Sequence, residues 1–163
     1  MTPEEIRTLH DYNFWTHRRV WACIEQLTDE QFTQHSDYSI GSIRNHVVHV
    51  MSVDERWFAR LQGVEFPERL IPEAFPNRAD VRAKWDTIEA GMRAYLGRVT
   101  EAELSETIHY DIPHRGGMMH DPRWQILVHV VNHGTDHRAQ ILSLLHALGA
   151  PTTEQDLTFY LWE

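Results

Sequence analysis

The chain of 163 residues has one cysteine, no long apolar run and no excess of positive charge. A single cysteine, Cys23, excludes an intrachain disulfide framework and a cysteine-rich zinc site. Set in the apolar helical stretch "VWACIEQL", it reads as a buried structural thiol rather than a nucleophile. No apolar stretch approaches the roughly 18 residues that a membrane-spanning helix needs, so no membrane partner is expected. Fifteen lysines and arginines against 24 aspartates and glutamates leave a formal charge of −9. A surface of that sign repels phosphate backbones, which argues against a nucleic-acid partner. The first residues, "MTPEEIRTLHDYNFW", are acidic and polar, unlike a secretory signal, and point to a cytoplasmic protein. Internal repeats and low-complexity tracts are also lacking.

What is abundant is histidine, 12 residues, and tryptophan, 6, in a composition otherwise normal for one soluble globular domain spanning 1–163. Four long stretches carry helical periodicity. The first opens at Thr2, with Pro3 and Glu5 completing a start signal, and runs to about residue 27. Thr28 and Gln31 repeat the signal for a short helix. A second long helix follows Ser42 and stops at Gly63. The connection "VEFPERLIPEAFPN", with three prolines, reads as a loop or linker crossing between helices, long enough to allow the one crossover. A third helix covers roughly 78 to 99, with Val81, Trp85, Ile88, Met92, Tyr95 and Val99 inward. In "ETIHYDI" the period changes to two, and "HRGGMM" supplies a turn, so a small β-hairpin is expected. The last helix is read from the Asp121–Pro122 pair to Gly149, with the apolar tail "EQDLTFYLWE" packing back. The expected architecture is all-α: a four-helix bundle with one crossover connection and a small β-hairpin before the last long helix.

The stretch "HVVNHGTDHRAQI", residues 129 to 141, places histidines at 129, 133 and 137. With 12 histidines, about one His-x-x-x-His pair is expected by chance, so two overlapping pairs in one helix carry more weight than one. Residues four apart lie about 40° apart and about 6 Å along the axis and can share an ion, whereas residues eight apart are separated by about 12 Å and cannot. His133 must therefore pair with one neighbour. Ile126, Val130, His133, His137, Leu144 and Leu148 fall on one apolar stripe, with His129 to one side, so His133 and His137 point inward together. Buried imidazoles need hydrogen-bond partners or a metal. A further ligand can come from the second helix, where His46 and His49 share a face; spacing alone does not choose between them. On the first helix, Asn13 and His17 lie on the inward stripe, implying either a polar cavity or bonding to each other and to nearby tryptophans.

Other groups are weighed against plainer roles. Asp54, Glu55 and Asp136 are candidate general bases or orienting partners for histidines, but on helix surfaces such residues are more often solvated. Trp15, Trp21, Trp57 and Trp124 can line a pocket or simply fill the core or a dimer interface. The only Glu-x-x-His match, Glu106 with His109, falls in the hairpin region, which argues against a carboxylate-bridged two-iron site.

The combination of "SIRNHVVHVMSVDERWFARLQG" with the later "HVVNHGTDHRAQI" resembles the DinB/YfiT-like family of metalloproteins. The likeness extends to "YNFWTHRRV", "HYDIPHRGG" and "FYLWE", and to His49 standing eight residues before Trp57. It implies a four-helix bundle, often a homodimer, with one divalent transition metal held by His49, His133 and His137. Zinc or nickel stands first, although imidazole sites also accept iron or copper. Relatives often carry asparagine where this chain has His17. Members with assigned activities include transferases that use low-molecular-weight thiols, with hydrolases and isomerases related. The resemblance thus implies a metal-dependent thiol S-transferase in detoxification or stress response, acting on a small molecule with a low-molecular-weight thiol as cosubstrate. The alternatives are a hydrolase using metal-bound hydroxide and a non-catalytic, stress-induced binder of metal or ligand.

Overall fold

Side-chain caps set where the helices begin. In the computed structural model, which describes residues 1–163 apart from the side chain of His114, the hydroxyl of Thr2 accepts from the Glu5 amide and the Glu5 carboxylate accepts from the Thr2 amide. This reciprocal pair opens α1, Pro3–Ile24. Thr28 and Gln31 repeat it for α2, Asp29–Thr33, and Ser42 caps α3, Ile43–Gln62. Helix α3 ends on Gly63 at φ +64°, a left-handed backbone that favours glycine. The proline-bearing segment that follows forms only a short 3-10 turn at Pro72–Ala74 before Asn77 caps α4, Arg78–Leu96. A short α5, Glu101–Ser105, leads into strands β1, Thr107–Ile112, and β2, Gly117–Pro122, which pair antiparallel. Helix α6, Arg123–Ala147, and a terminal α7, Leu157–Trp162, complete the chain.

The expected helical bundle with its small hairpin is therefore present. Helix α6 packs against α1 and α3, and α4 packs against the same two helices. Helices α1 and α3 thus lie on a diagonal, and the chain crosses the bundle between them through α2; the proline-bearing segment joins neighbours instead. Phe14, Phe32, Met51, Leu127 and Leu145 are fully buried at the centre, each contributing about 2 kcal/mol of apolar burial. Cys23 is buried, and that burial pushes its thiol pKa up, in keeping with a structural role. Among the described residues no helix is long and apolar enough to cross a membrane. The tail packs back as expected: the Tyr12 hydroxyl donates to the Gln155 carbonyl at 2.6 Å, and the Trp15 indole N–H donates to Glu163 at 2.8 Å.

Four details depart from the sequence reading. Helix α1 ends at Ile24 rather than near residue 27, although Leu27 beyond it is buried. Helix α4 stops at Leu96, although Val99 beyond it is still buried. Helix α5 is absent from that reading, although its Thr100–Glu103 capping box resembles the two that were recognised. Asp121 and Pro122 belong to β2 rather than to the start of α6. The strand persists because Asp121 pairs with Ile108 and its carboxylate accepts from the Tyr110 hydroxyl, while the Arg123 amide still donates to the Glu106 carbonyl at 2.9 Å.

His10 of α1 is fully buried; its Nε2 lies 3.2 Å from the Leu127 carbonyl and its ring meets Phe58 edge-on. Burial holds its pKa at about 4, down from 6.5. The unfolded chain therefore takes up a proton near pH 6.5 that the folded protein refuses until about pH 4. The stability contributed by neutral His10 is fully present above pH 6.5 and is lost as pH falls toward 4, by up to about 3 kcal/mol. Urea unfolding of metal-free protein between pH 7 and 4 is expected to show a shallower acid loss in His10→Gln than in the wild type; equal slopes would contradict this assignment.

Candidate metal centre

The histidines of α3 and α6 meet where the two helices pack. His49 Nε2 lies 3.2 Å from His133 Nε2, and the ring of His137 lies 4.6 Å from that of His49 and 4.5 Å from that of His133. One ligand atom from each of His49, His133 and His137 falls within 4.8 Å of the others. His133 and His137 thus face the same space, one turn apart on α6. His46, the other candidate on α3, sits behind this cluster: its Nδ1 lies 3.1 Å from His137 Nδ1. His129 is exposed and stands to the side, its ring 6.0 Å from His133 and edge-on to Trp57 at 5.4 Å.

The nitrogens fit a cation better than they fit one another. Two neutral imidazoles meeting Nε2 to Nε2 can share only one proton. The Nδ1 atoms of His49 and His133 are buried without a hydrogen-bond partner. A cation between the Nε2 atoms would engage both lone pairs, and ligands 2.0–2.1 Å from a tetrahedral ion stand about 3.4 Å apart, close to the spacing seen. If His137 Nδ1–H donates to His46 Nδ1, its Nε2 lone pair is left free, the arrangement by which outer partners orient a ligating histidine. Burial, followed by the neighbouring imidazoles, lowers the pKa of His133 to about 3; burial and the charges of His137 and Arg69 lower that of His49 to about 4. Burial lowers His137 as well. All three are therefore neutral near pH 7 and keep their lone pairs. Among the described residues no cysteine or carboxylate joins them.

One side of the cluster opens on a cleft of about 520 Å³, walled by His49, His133, Val53, Trp57 and Ile112 and rimmed by arginines. None of the three candidate bases lines it. Glu55 is paired with Lys84 at 2.6 Å, Asp136 is exposed and accepts from Gln140, and Asp54 is buried at 3% exposure. The solvated reading of Asp54 is therefore corrected: it faces inward, and burial, opposed by Arg138, pushes its carboxyl up to about 8. Of the tryptophans, Trp57 lines the cleft and Trp21 lies in the core. Trp15 packs on the tail and Trp124 is partly buried against the core.

A buried charge absent from the sequence reading stands next to the cluster. Arg138 is fully buried; its guanidinium donates to Asn13 Oδ1 at 2.5 Å and to Gln155 Oε1 at 3.1 Å, and lies 3.3 Å from His17 Nε2. Asn13 and His17 thus serve neither an open cavity nor each other; they surround Arg138, with the His17 ring edge-on to Trp85 at 4.3 Å. Burial lowers the Arg138 pKa to about 10, so it remains charged, and its charge lowers that of His17 further below the histidine range that burial has already left. The sequence signal was Gly134, one turn before Arg138 in mid-helix, where glycine costs about 1 kcal/mol and marks a close approach.

The DinB family model matches residues 1–163. The chain is 24% identical over 159 residues to Protein DinB of Bacillus subtilis, covering 94% of this chain and 92% of that one. In fold it is similar to a DinB-like protein from Bacillus cereus, with a TM-score of 0.72 at 15% identity over 94% of this chain and 97% of the other. A DinB family member from Shewanella denitrificans superposes with a TM-score of 0.59 at 15% identity, over 95% and 85% of the two chains.

A Cβ on Gly134 would meet Asn13 Oδ1 at 2.7 Å and an Arg138 guanidinium nitrogen at 2.8 Å. Gly134→Ala is therefore expected to lower stability by about 1–3 kcal/mol despite the better helix propensity of alanine. Chemical denaturation would measure this; a variant more stable than the wild type would contradict the close approach.

Proposed function

Because the chain belongs to the DinB family and two of its three converging imidazoles, those of His49 and His133, line a cleft, we propose that it is a divalent-metal enzyme of the thiol S-transferase type. His49, His133 and His137 would hold the ion, with zinc or nickel suited to the all-imidazole set. A divalent ion held there would supply the Lewis acidity that lowers the pKa of a thiol. The observation that carries the reading is the neutral three-histidine cluster, two members of which, His49 and His133, form part of the wall of a cleft large enough for a small molecule.

The chain's own residues do the preparation. Desolvation keeps the three imidazoles unprotonated, and His46, 3.1 Å from His137 Nδ1, would orient the ring of His137 with its Nε2 left to serve as ligand. Trp57, Val53 and Ile112 wall off water along one side of the cleft. In the transfer, the thiol gives its proton to solvent at the cleft mouth, sulfur bonds to the electrophilic carbon, and the leaving group departs with its bonding pair. Thiol transfer is favoured over hydrolysis because among the described residues no carboxylate base lines the cleft. The thiol must come from outside, since Cys23 is buried in the core. Removal of electrophiles would place such an activity in detoxification.

Elemental analysis of the purified protein is expected to find about one divalent ion per chain, and His133→Ala is expected to lose both the ion and thiol transfer to small electrophiles. His129→Ala should retain the ion. His46→Ala should weaken ion affinity roughly 10- to 100-fold. Full transfer activity in His133→Ala would overturn the proposal.

A further inference from the structure

The rim of the cleft carries a charge opposite to that of the rest of the molecule. Four arginines, Arg56, Arg60, Arg69 and Arg115, line it in a chain of formal charge −9. Of the ten arginines outside the cleft, six are matched with acids: Arg18 with Glu89, Arg44 with Glu73, Arg78 with Asp29, Arg82 with Asp86, Arg93 with Asp11 and Arg123 with Glu106, while Arg98 and Arg138 donate to neutral oxygens. Among the described residues none of the four cleft arginines has such a partner. Arg56 and Arg60 are half-buried, and Arg56 Nε is buried without a hydrogen-bond partner.

Aromatic rings hold two of these groups in place. Phe66 lies against the guanidinium of Arg56 at 4.3 Å and that of Arg60 at 4.2 Å, and Trp57 adds a second ring to Arg60 at 4.7 Å. Stacking occupies the flat faces of a guanidinium and leaves its N–H edge free, the edge that meets a planar or tetrahedral oxyanion with two parallel hydrogen bonds. On α3, Arg56 stands seven residues beyond His49, about 10 Å along the axis. Val53 and Trp57 lie on the same wall between and beside them.

We propose that the cleft takes a small organic anion: a carboxylate or phosphate ester seated on Arg56, Arg60 and the two rim arginines, with its apolar body along Val53, Trp57 and Ile112 and its reactive end toward the three histidines. This names the substrate class of the site described under the proposed function and rests on that reading of the cleft. A long polyanion does not suit the place, because the arginines are gathered at one recess of an acidic surface.

The test uses zinc-loaded protein titrated calorimetrically with benzoate, phenyl phosphate and the neutral isostere benzamide. At least one anion is expected to bind about tenfold or more tightly than benzamide, an advantage that falls with added salt, and the better anion distinguishes carboxylate from phosphate recognition. Arg56→Gln, and a double change at the exposed rim, Arg69→Gln with Arg115→Gln, are expected to keep the zinc content. At least one of them should lose about tenfold in anion affinity. Equal binding of all three probes by the wild type, or wild-type anion affinity in both variants, would overturn the proposal. His133→Ala separates the two readings: if the anion advantage survives there and still depends on the arginines, this inference stands whatever becomes of the metal. If the unaltered protein binds no zinc, the proposed function fails, and the same titrations on the metal-free wild type and arginine variants decide this inference by the same two outcomes.

Discussion

The packing of α3 on α6 is the contact on which the site depends. Each helix alone offers histidines on a surface, spaced by its own pitch. Only when the two faces meet do His49 and His133 approach nitrogen to nitrogen at 3.2 Å, with His137 completing the group one turn along α6. Buried aliphatic residues, among them Val47, Val50, Val130 and Ile126, flank the histidines on both helices. Apolar burial thus supplies the force that holds several polar rings at close quarters, and the low dielectric it creates keeps those rings neutral.

A second, deeper polar element sits beside the first. Burying a guanidinium is costly unless its donors are met, and Arg138 meets Asn13, Thr135 and Gln155. Gly134 removes the one side chain that would block this convergence. The consequence is a cross-brace: α1, α6 and the segment after α6 are tied through one charged group at the level of His137. Because Arg138 directly follows His137, the brace ties α6 to α1 beside the cluster. Asp54, inward-facing and influenced by Arg138, belongs to the same interior rather than to the cleft.

Much of the frame was legible in the chain, because caps and periodicity are local. Thr2 with Glu5, Thr28 with Gln31, Ser42 and Gly63 mark element ends through contacts a few residues apart, and all act as read. The inward pairing of His133 with His137 was likewise legible from the apolar stripe of α6. The choice between His46 and His49 was not, since it depends on how two helices are rotated against each other; both face α6, but one reaches the common centre and the other only the back of His137. Arg138 was hidden for another reason. Arginine on a helix is normally a surface residue, and its burial is settled by Asn13 and Gln155, more than a hundred residues apart. Asp121 was misassigned to a helix start because its partner, the Tyr110 hydroxyl, lies across the hairpin.

The segment between α6 and α7 has a bearing on the interior that its surface position conceals. Gln155 holds Tyr12 through its backbone and Arg138 through its side chain. It therefore works as a stopper at the outer mouth of the guanidinium's chamber, keeping bulk water from hydrating the charge. Loosening this stretch would hydrate Arg138 from outside and relax its grip on Asn13, so a disturbance at the far end of the chain would be felt in the pitch and set of α6.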